Sequence, residues 1–202
     1  EHVVEVTPVE TRPAQSADPT EPELPAEVPA KDDAFLLYIS GNDARLPQLA
    51  DGGSDVNILV AVNTTTHQVL LVNTPRDYYV ENPAGNGARD KLSHCGLEGI
   101  DNCIGAMTSL YELPIHYYAR INFSGFRTLV DAIGGVWFDV PYTMDYHDPY
   151  QDLVIEQEKG YRLLGGEDAM QGIRWRKNDP DSPHGYHGGI GDSGRMKIQQ
   201  SF

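Results

Sequence analysis

At 202 residues, 40% of them hydrophobic, the chain has apolar material for one sizeable core rather than two, so one domain with a tail is expected. A formal net charge of -15 argues against nucleic acid as a partner, because phosphate backbones are bound by surfaces rich in Lys and Arg. No run of 18 apolar residues appears, so nothing here reads as a membrane span.

Residues 1–33 hold no glycine, six of the 14 prolines, and nine acids against two bases. Such a Pro/Glu-rich composition buries too little apolar surface to offset its ordering entropy, and the stretch reads as a semi-rigid disordered tether. With neither an initiator Met nor a signal peptide, the chain reads as a piece excised behind some upstream element, for which a membrane anchor is one candidate.

Residues 34–202 read as the folded domain. AFLLYIS (34–40), VNILVAV (56–62) and QVLLVNT (68–74) are apolar runs of buried-strand type, the last two joined as a hairpin by NTTTH. Cys95 and Cys103 follow in SHCGLEGIDNC. A single helix would hold them about 12 Å apart, but Gly96 and Gly99 suggest a bend, so a disulfide and two buried thiols both stay open. The spacing of Ile104, Met107, Leu110 and Tyr111 predicts a helix ending before Pro114, and HYYARIN alternates as a strand.

NFSGFRTLVDAIGG (122–135) predicts a helix capped by Asn122 or Ser124 and closed by Gly134 in the left-handed conformation, with VWFDV as the next strand. Residues 142–160 read as irregular and polar. EDAMQGIRWRK predicts a helix, KNDPDSPHGYHGGIGDSG a long loop whose glycines suit a mobile lid, and RMKIQQSF the start of a last helix. Alternating strands and helices predict an α/β or α+β domain, a central mixed sheet covered by helices. His94, His116, His147, His184 and His187 lack metal-ligand spacing and read as surface or packing residues.

The charges raise a sharper question. In VNTPRDYYV (72–80) a strand ends at Pro75 and Arg76 and Asp77 follow at once. An exposed ion pair at a turn is worth about 0 to 1 kcal/mol and is common; the alternative is a guanidinium held at a pocket mouth. Arg45, Arg174, Arg176 and Arg195 also lie beside apolar elements. On a helix Arg174 and Arg176 are about 200° apart, so sharing one anion needs the helix to end there, as Asn178, Asp179 and Pro180 suggest. Asp43 follows the first strand and Asp55 precedes the second. At 4 Å two such carboxylates repel by about 4 kcal/mol at an effective dielectric near 20, which calls for a cation between them; beside a phosphate, oxygen ligands favour Mg2+. The plainer reading is two aspartates that start turns.

In order and spacing, LLYISGNDAR, GGSDVNILVAVN, VLLVNTPRDYYV, KLSH, YYARINFSGFRTLVDAIGGVWFDV, LLGGEDAMQGIRWRK and DSGRMKIQQ resemble the LytR-CpsA-Psr family of Gram-positive cell-envelope enzymes, over residues 35–200. The resemblance implies a Mg-dependent phosphotransferase, with residual pyrophosphatase activity, that moves a glycopolymer from a polyprenyl (pyro)phosphate carrier to peptidoglycan. It implies an extracellular domain on a single N-terminal membrane helix. In the family pattern Asp43 and Asp55 bind Mg2+, while Arg45, Arg76, Arg174, Arg176 and Arg195 hold the phosphates with Gln199 beside them. Asp77 is expected to orient Arg76. The apolar helices at 104–113 and 123–133 are expected to pack in the core or to line a slot for the polyprenyl chain.

Two positions depart from the family pattern. Gly53 stands where an arginine usually precedes the SD pair, and Ile198 where a second arginine often precedes QQ. These leave a rival reading, a non-catalytic module that binds the polyprenyl phosphate. A second rival, a transcriptional attenuator, finds no support in the acidic charge or in any basic recognition helix.

Overall fold

The computed structural model describes residues 5–8, 34–42, 52–151 and 153–202, with no side-chain placement at 5–8 or 192. The elements run β1 (Glu5–Pro8), β2 (Ala34–Gly41), β3 (Val56–Asn63), β4 (Gln68–Asn73), β5 (Tyr79–Glu81), β6 (Arg89–Lys91), α1 (Leu92–Cys95), α2 (Ile100–Tyr111) and β7 (Tyr117–Ile121). After these come α3 (Phe123–Ala132), β8 (Val136–Val140), β9 (Met144–Asp148), β10 (Leu153–Gln157), β11 (Gly160–Leu164), α4 (Gly166–Arg174) and α5 (Gly191–Ser201). The fold is the expected mixed α/β class. The described residues up to Asn122 and those from Phe123 onward form two compact units, each with its own apolar cluster where composition suggests one core.

In the N-terminal unit the three apolar runs form neighbouring strands of a five-stranded mixed sheet, ordered β1-β7-β2-β3-β4. β2 runs parallel to β7 and antiparallel to β3, and the NTTTH turn makes β3 and β4 a hairpin. Side chains alternate across a sheet. Tyr38 of β2 and Leu59 of β3 accordingly share the face that packs on Cys103, Ile104 and Met107 of α2. That helix begins four residues before the expected Ile104, after Gly99, whose φ of 104° only glycine adopts without strain. The helix ends before Pro114, as expected, with Glu112 in the left-handed conformation.

Two expectations are corrected in this sheet. QVLLVNT was to be a buried strand, yet β4 is an edge strand with Val69, Leu70 and Leu71 exposed. Within the expected tether, Glu5–Pro8 pairs antiparallel with β7, Glu5 opposite Arg120. The Val-rich start of the chain has β propensity that the proline content conceals, and β7 offers it unpaired backbone groups. Residues 1–4 and 9–33 of the tether lie outside the described residues.

In the C-terminal unit α3 ends as its glycines predict. Gly134 has φ 83°, its N–H bonds to Asp131 O at 3.0 Å, and that of Gly135 reaches back to Val130 O at 2.9 Å, a Schellman closure. The stretch expected to be irregular, 142–160, instead contains the β9–β10 hairpin and leads into β11, which pairs with β8. A ribbon with one wet face reads as polar: Leu153, Ile155 and Gln157 turn inward while Val154 and Glu156 face water. Leu153 and Ile155 join Val130, Phe138, Leu164, Ala169 and Trp175 in the apolar cluster.

The junction of α3 and α4 depends on two family-motif residues. The Asp131 carboxylate accepts the Gly166 N–H at 2.7 Å, supplying the cap that α4 lacks at Gly165. A Cβ on Gly166 would collide with the backbone of Arg127. Gly166→Ala is therefore expected to cost about 1 to 3 kcal/mol through overpacking, and Asp131→Ala about 1 kcal/mol through the lost cap. Urea unfolding followed by circular dichroism measures both, and Gly166→Ala should show the lower midpoint.

Candidate functional site

The residues after Pro75 answer the question posed by VNTPRDYYV. The Tyr78 N–H bonds to Pro75 O at 3.0 Å, so Arg76 and Asp77 are the corners of a turn. Backbone contacts fix that turn. Arg76 O accepts the Ser93 N–H at 2.9 Å, and Ser93 O accepts the Ser54 N–H at 3.0 Å. The peptide groups of Ser93 thus tie the Arg76 turn to the loop before Asp55. Asp55 N–H in turn bonds to Gly41 O at 2.8 Å, continuing the β2–β3 pairing to the strand end where Asp43 follows in sequence.

On this frame Arg76 Nη1 donates to Asp55 Oδ1 at 2.9 Å, the two side chains being 34% and 28% exposed. Asp77 is farther, its carboxylate 3.7 Å from Arg76 Nε, and is held by Lys91 Nζ at 2.6 Å. Asp77 does contact Arg76, as a residue that orients it would, while Asp55 is the closer partner. The Lys91 hydrogen bond, reinforced by the charges of Lys91 and Arg76, holds the Asp77 carboxyl below its ordinary range, which makes it a poor proton acceptor. Asp43 and Arg45 lie outside the described residues. Asp55 accepts the Arg76 guanidinium through Oδ1. No group of three His, Cys, Asp or Glu gathers as a metal site among the described residues.

Beneath the loop lies a buried polar layer that the strand patterns did not announce. Tyr38 Oη and Ser54 Oγ both donate to Asn57 Oδ1, at 2.5 and 2.7 Å, and Ser40 Oγ lies 2.8 Å from Ser54 Oγ. Arg120 of β7 is buried and donates through Nη2 to Gly52 O at 2.8 Å and Gly96 O at 3.2 Å; its Nε finds no partner among the described residues. This guanidinium ties down the start of the GGSD loop. The alternation of HYYARIN, which puts Arg120 on the same face as Tyr118, was the available signal. Two glycines permit the close approach: a Cβ on Gly96 would stand 2.5 Å from Ser54 N, and one on Gly53 would stand 3.1 Å from Ser93 O.

Cys95 and Cys103 are buried free thiols in the core of this unit, resolving the alternative left open by their spacing. Burial, with the neighbouring Cys103, pushes the Cys95 thiol up to about 11. Two of the singled-out histidines of this unit have local partners, His116 Nδ1 accepting the Leu36 N–H at 3.0 Å and His94 Nδ1 lying 2.9 Å from Asp90 Oδ1.

In the C-terminal unit the anchor of the arginine pair is Trp175. It is fully buried, its Nε1 donates to Asn178 Oδ1 at 2.9 Å, and Asn178 Nδ2 holds Thr143 O at 3.0 Å. Helix α4 ends at Arg174 and Trp175 is extended, with ψ 136°. One residue pointing in leaves its neighbours pointing out, so Arg174 is half-buried and Arg176 exposed. Arg174 lies over the Phe123 ring at 4.8 Å, with Nη2 3.3 Å from Gln151 Oε1. Arg176 O accepts the Ile190 N–H at 3.0 Å, which fixes the start of α5. Arg195 and Gln199 occur one turn apart on that helix and share a face. Ile198, where the family often has arginine, is buried in the core.

The loop expected to suit a mobile lid is fastened at its base. Asp179 Oδ2 accepts the His147 N–H at 2.9 Å, His187 Nδ1 lies 2.7 Å from Asp179 O, and Tyr186 packs on Tyr142 with ring centroids 4.3 Å apart.

Comparison with known proteins matches residues 4–202 to the LytR_cpsA_psr family. An Enterococcus faecalis protein named polyisoprenyl-teichoic acid–peptidoglycan teichoic acid transferase TagU is 34% identical over 153 residues, which cover 75% of this chain and 47% of that protein. The crystal structure of Bacillus subtilis TagV aligns with TM-score 0.69 and 25% identity over 85% of this chain and 62% of that one. A structure of TagT bound to LI-WTA aligns with TM-score 0.62 and 26% identity over 84% of this chain and 61% of that one. The chain spans half or less of the length of the curated relatives it matches.

Because Lys91 is the chief cause of the depressed Asp77 carboxyl, Lys91→Met should move its titration midpoint up toward the ordinary carboxylate range. The sign for stability follows: a depressed folded pKa stabilises above the unfolded value, about 3.9 for Asp, and that contribution is lost as pH falls through the folded pKa. Carbon-detected NMR titration of the Asp77 carboxyl in both proteins checks the shift.

Proposed function

The chain belongs to the LytR-CpsA-Psr family, and on that footing we propose that it is the catalytic part of a phosphotransferase moving a glycopolymer from a polyprenyl (pyro)phosphate carrier to peptidoglycan. The observation that carries this reading is the backbone-fixed Arg76–Asp55 pair, in which a partly exposed guanidinium is held by a carboxylate at a strand end. An exposed ion pair of this kind adds little stability, so its rigid placement is better explained by a ligand.

Phosphoryl transfer asks a protein mainly to position groups and to neutralise charge. Arg76 donates to phosphate oxygens of the carrier, and Asp55 keeps its guanidinium in place between turnovers. The family pattern also assigns Arg174, Arg176 and Arg195 to phosphate oxygens, with Gln199 a neutral donor beside Arg195 and Arg45 a further cation. Asp55 and Asp43 would hold Mg2+, which when bound supplies charge neutralisation at the pyrophosphate. Asp77, held below the ordinary carboxylate range, keeps Lys91 and Arg76 oriented rather than taking the acceptor's proton. Among the described residues no helix is long and apolar enough to cross a membrane; attachment through an N-terminal membrane helix, with the domain outside the cell, belongs to the same proposal. Residual pyrophosphatase activity would follow if water replaced the sugar hydroxyl.

The rival reading, carrier binding without transfer, draws on Gly53 and on the burial of Ile198. Turnover of a polyprenyl pyrophosphate-linked sugar onto peptidoglycan separates the two. The binding step has its own test. Arg76→Ala should weaken binding of a soluble polyprenyl pyrophosphate analogue by one charge-assisted hydrogen bond, about 1.5 to 3 kcal/mol or roughly 10- to 150-fold. The unfolding midpoint should stay close to that of the parent. Asp55→Asn should remove the Mg2+ dependence of the same titration. Calorimetry that finds Arg76→Ala binding unchanged returns the pair to an ordinary turn contact.

A further inference from the structure

On the β8–β11 ribbon large apolar side chains occupy both faces. Phe138 and Val140 of β8 and Leu164 of β11 face the core, where Phe138 stacks on Phe202 with centroids 3.9 Å apart. The opposite face carries a tryptophan and a tyrosine into water, Trp137 at 63% and Tyr161 at 69% exposure. The register sets Trp137 across from Leu163 and Tyr161 across from Asp139, so all four belong to that one outer face. The two rings stack on each other, 5.3 Å between centroids and 16° between planes. Contact covers one face of each ring, so exposures this high leave the other faces bare.

We propose that this strip is a binding platform for the neutral pyranose rings of a glycan, the acceptor strand of the transfer reaction, and this assignment rests on the transferase reading above. The chemistry is specific to sugars. A pyranose presents a flat C–H face that packs on an aromatic ring and a rim of hydroxyls that need acceptors, and here the acceptor is the exposed Asp139 carboxylate beside Tyr161. Aromatic groups with two χ angles, fixed by mutual stacking on a paired ribbon, lose little entropy when a ligand arrives. Charge selects among occupants: the exposed carboxylate within the strip disfavours polyanionic polymers and anionic lipid surfaces and suits a neutral glycan.

The chain has two tryptophans, and the other, Trp175, is fully buried. Acrylamide quenching of tryptophan fluorescence therefore reports on Trp137. Titration with soluble, uncharged N-acetylglucosamine oligomers should protect Trp137 saturably. Tyr161→Ala should raise the apparent Kd at least tenfold and Asp139→Asn several-fold, with unchanged thermal midpoints. For Trp137→Ala, binding is read by calorimetry, with the same expected loss. The assignment is overturned if oligosaccharides give no protection. It is equally overturned if equal-part phosphatidylglycerol–phosphatidylcholine vesicles alone protect Trp137, or if protection follows protein concentration without ligand. Lost glycan protection with intact pyrophosphate binding overturns this site alone, whereas the reverse pattern bears on the transferase reading alone.

Discussion

The charged half-site of the N-terminal unit depends on the backbone at Ser93. Its N–H takes Arg76 O and its C=O takes the Ser54 N–H, so one residue at the start of α1 spans the PRD turn and the GGSD loop. Without that bridge the Arg76–Asp55 contact would rely on its own attraction, about 0 to 1 kcal/mol at this exposure. That is too little to hold two side chains in one geometry against their rotamer entropy. Backbone hydrogen bonds impose the geometry first, and the ion pair occupies it. Arg120 reinforces the bridge from below by holding Gly52 and Gly96 through their carbonyls.

The C-terminal unit solves the same problem with an aromatic anchor. Trp175 is held by its indole N–H on Asn178, and Asn178 is held in turn by Thr143 O and the Asp145 N–H. A helix cannot point residues two apart in one direction, so α4 stops at Arg174 and the chain becomes extended. The RWR triplet then has a plain physical sense: a large hydrophobe turned inward positions two cations on the outside. In both units the charges sit where an element ends, and the core residue or peptide group next to them does the positioning.

Much of this was legible in the sequence, and what was not has identifiable causes. The strands at 34–41, 56–63 and 117–121 and the helix closure at Gly134 follow from period and punctuation. The end of α4 at the arginine pair was foreshadowed by Asn178 and Pro180. The strands β9 and β10 were missed because a ribbon with one wet face dilutes its alternation. β4 was misjudged because periodicity reports apolarity and not whether a neighbouring strand exists. Glu5–Pro8 was hidden by the surrounding prolines. Family likeness named Arg76 and Asp55 as site residues, but nothing local in the sequence distinguishes Asp55 from Asp77 as the nearer partner of Arg76; that depends on where Lys91 and Ser93 arrive from β6 and α1.

The two departures from the family pattern acquire structural meaning from the same contacts. At Gly53 the missing arginine coincides with a close approach: a Cβ there would stand 3.1 Å from Ser93 O, the carbonyl already bound to the Ser54 N–H. A side chain at 53 would press on the peptide that places Arg76 beside Asp55, which would have to give by a few tenths of an ångström to admit it. Ile198 of α5 is buried in the apolar cluster, where burying a guanidinium in its place would be costly. Restoring either arginine singly would add charge at a local packing cost. Among the cations this chain keeps, Arg76 on the Ser93 bridge and Arg174 and Arg176 on either side of Trp175 sit where backbone and core contacts already fix the chain.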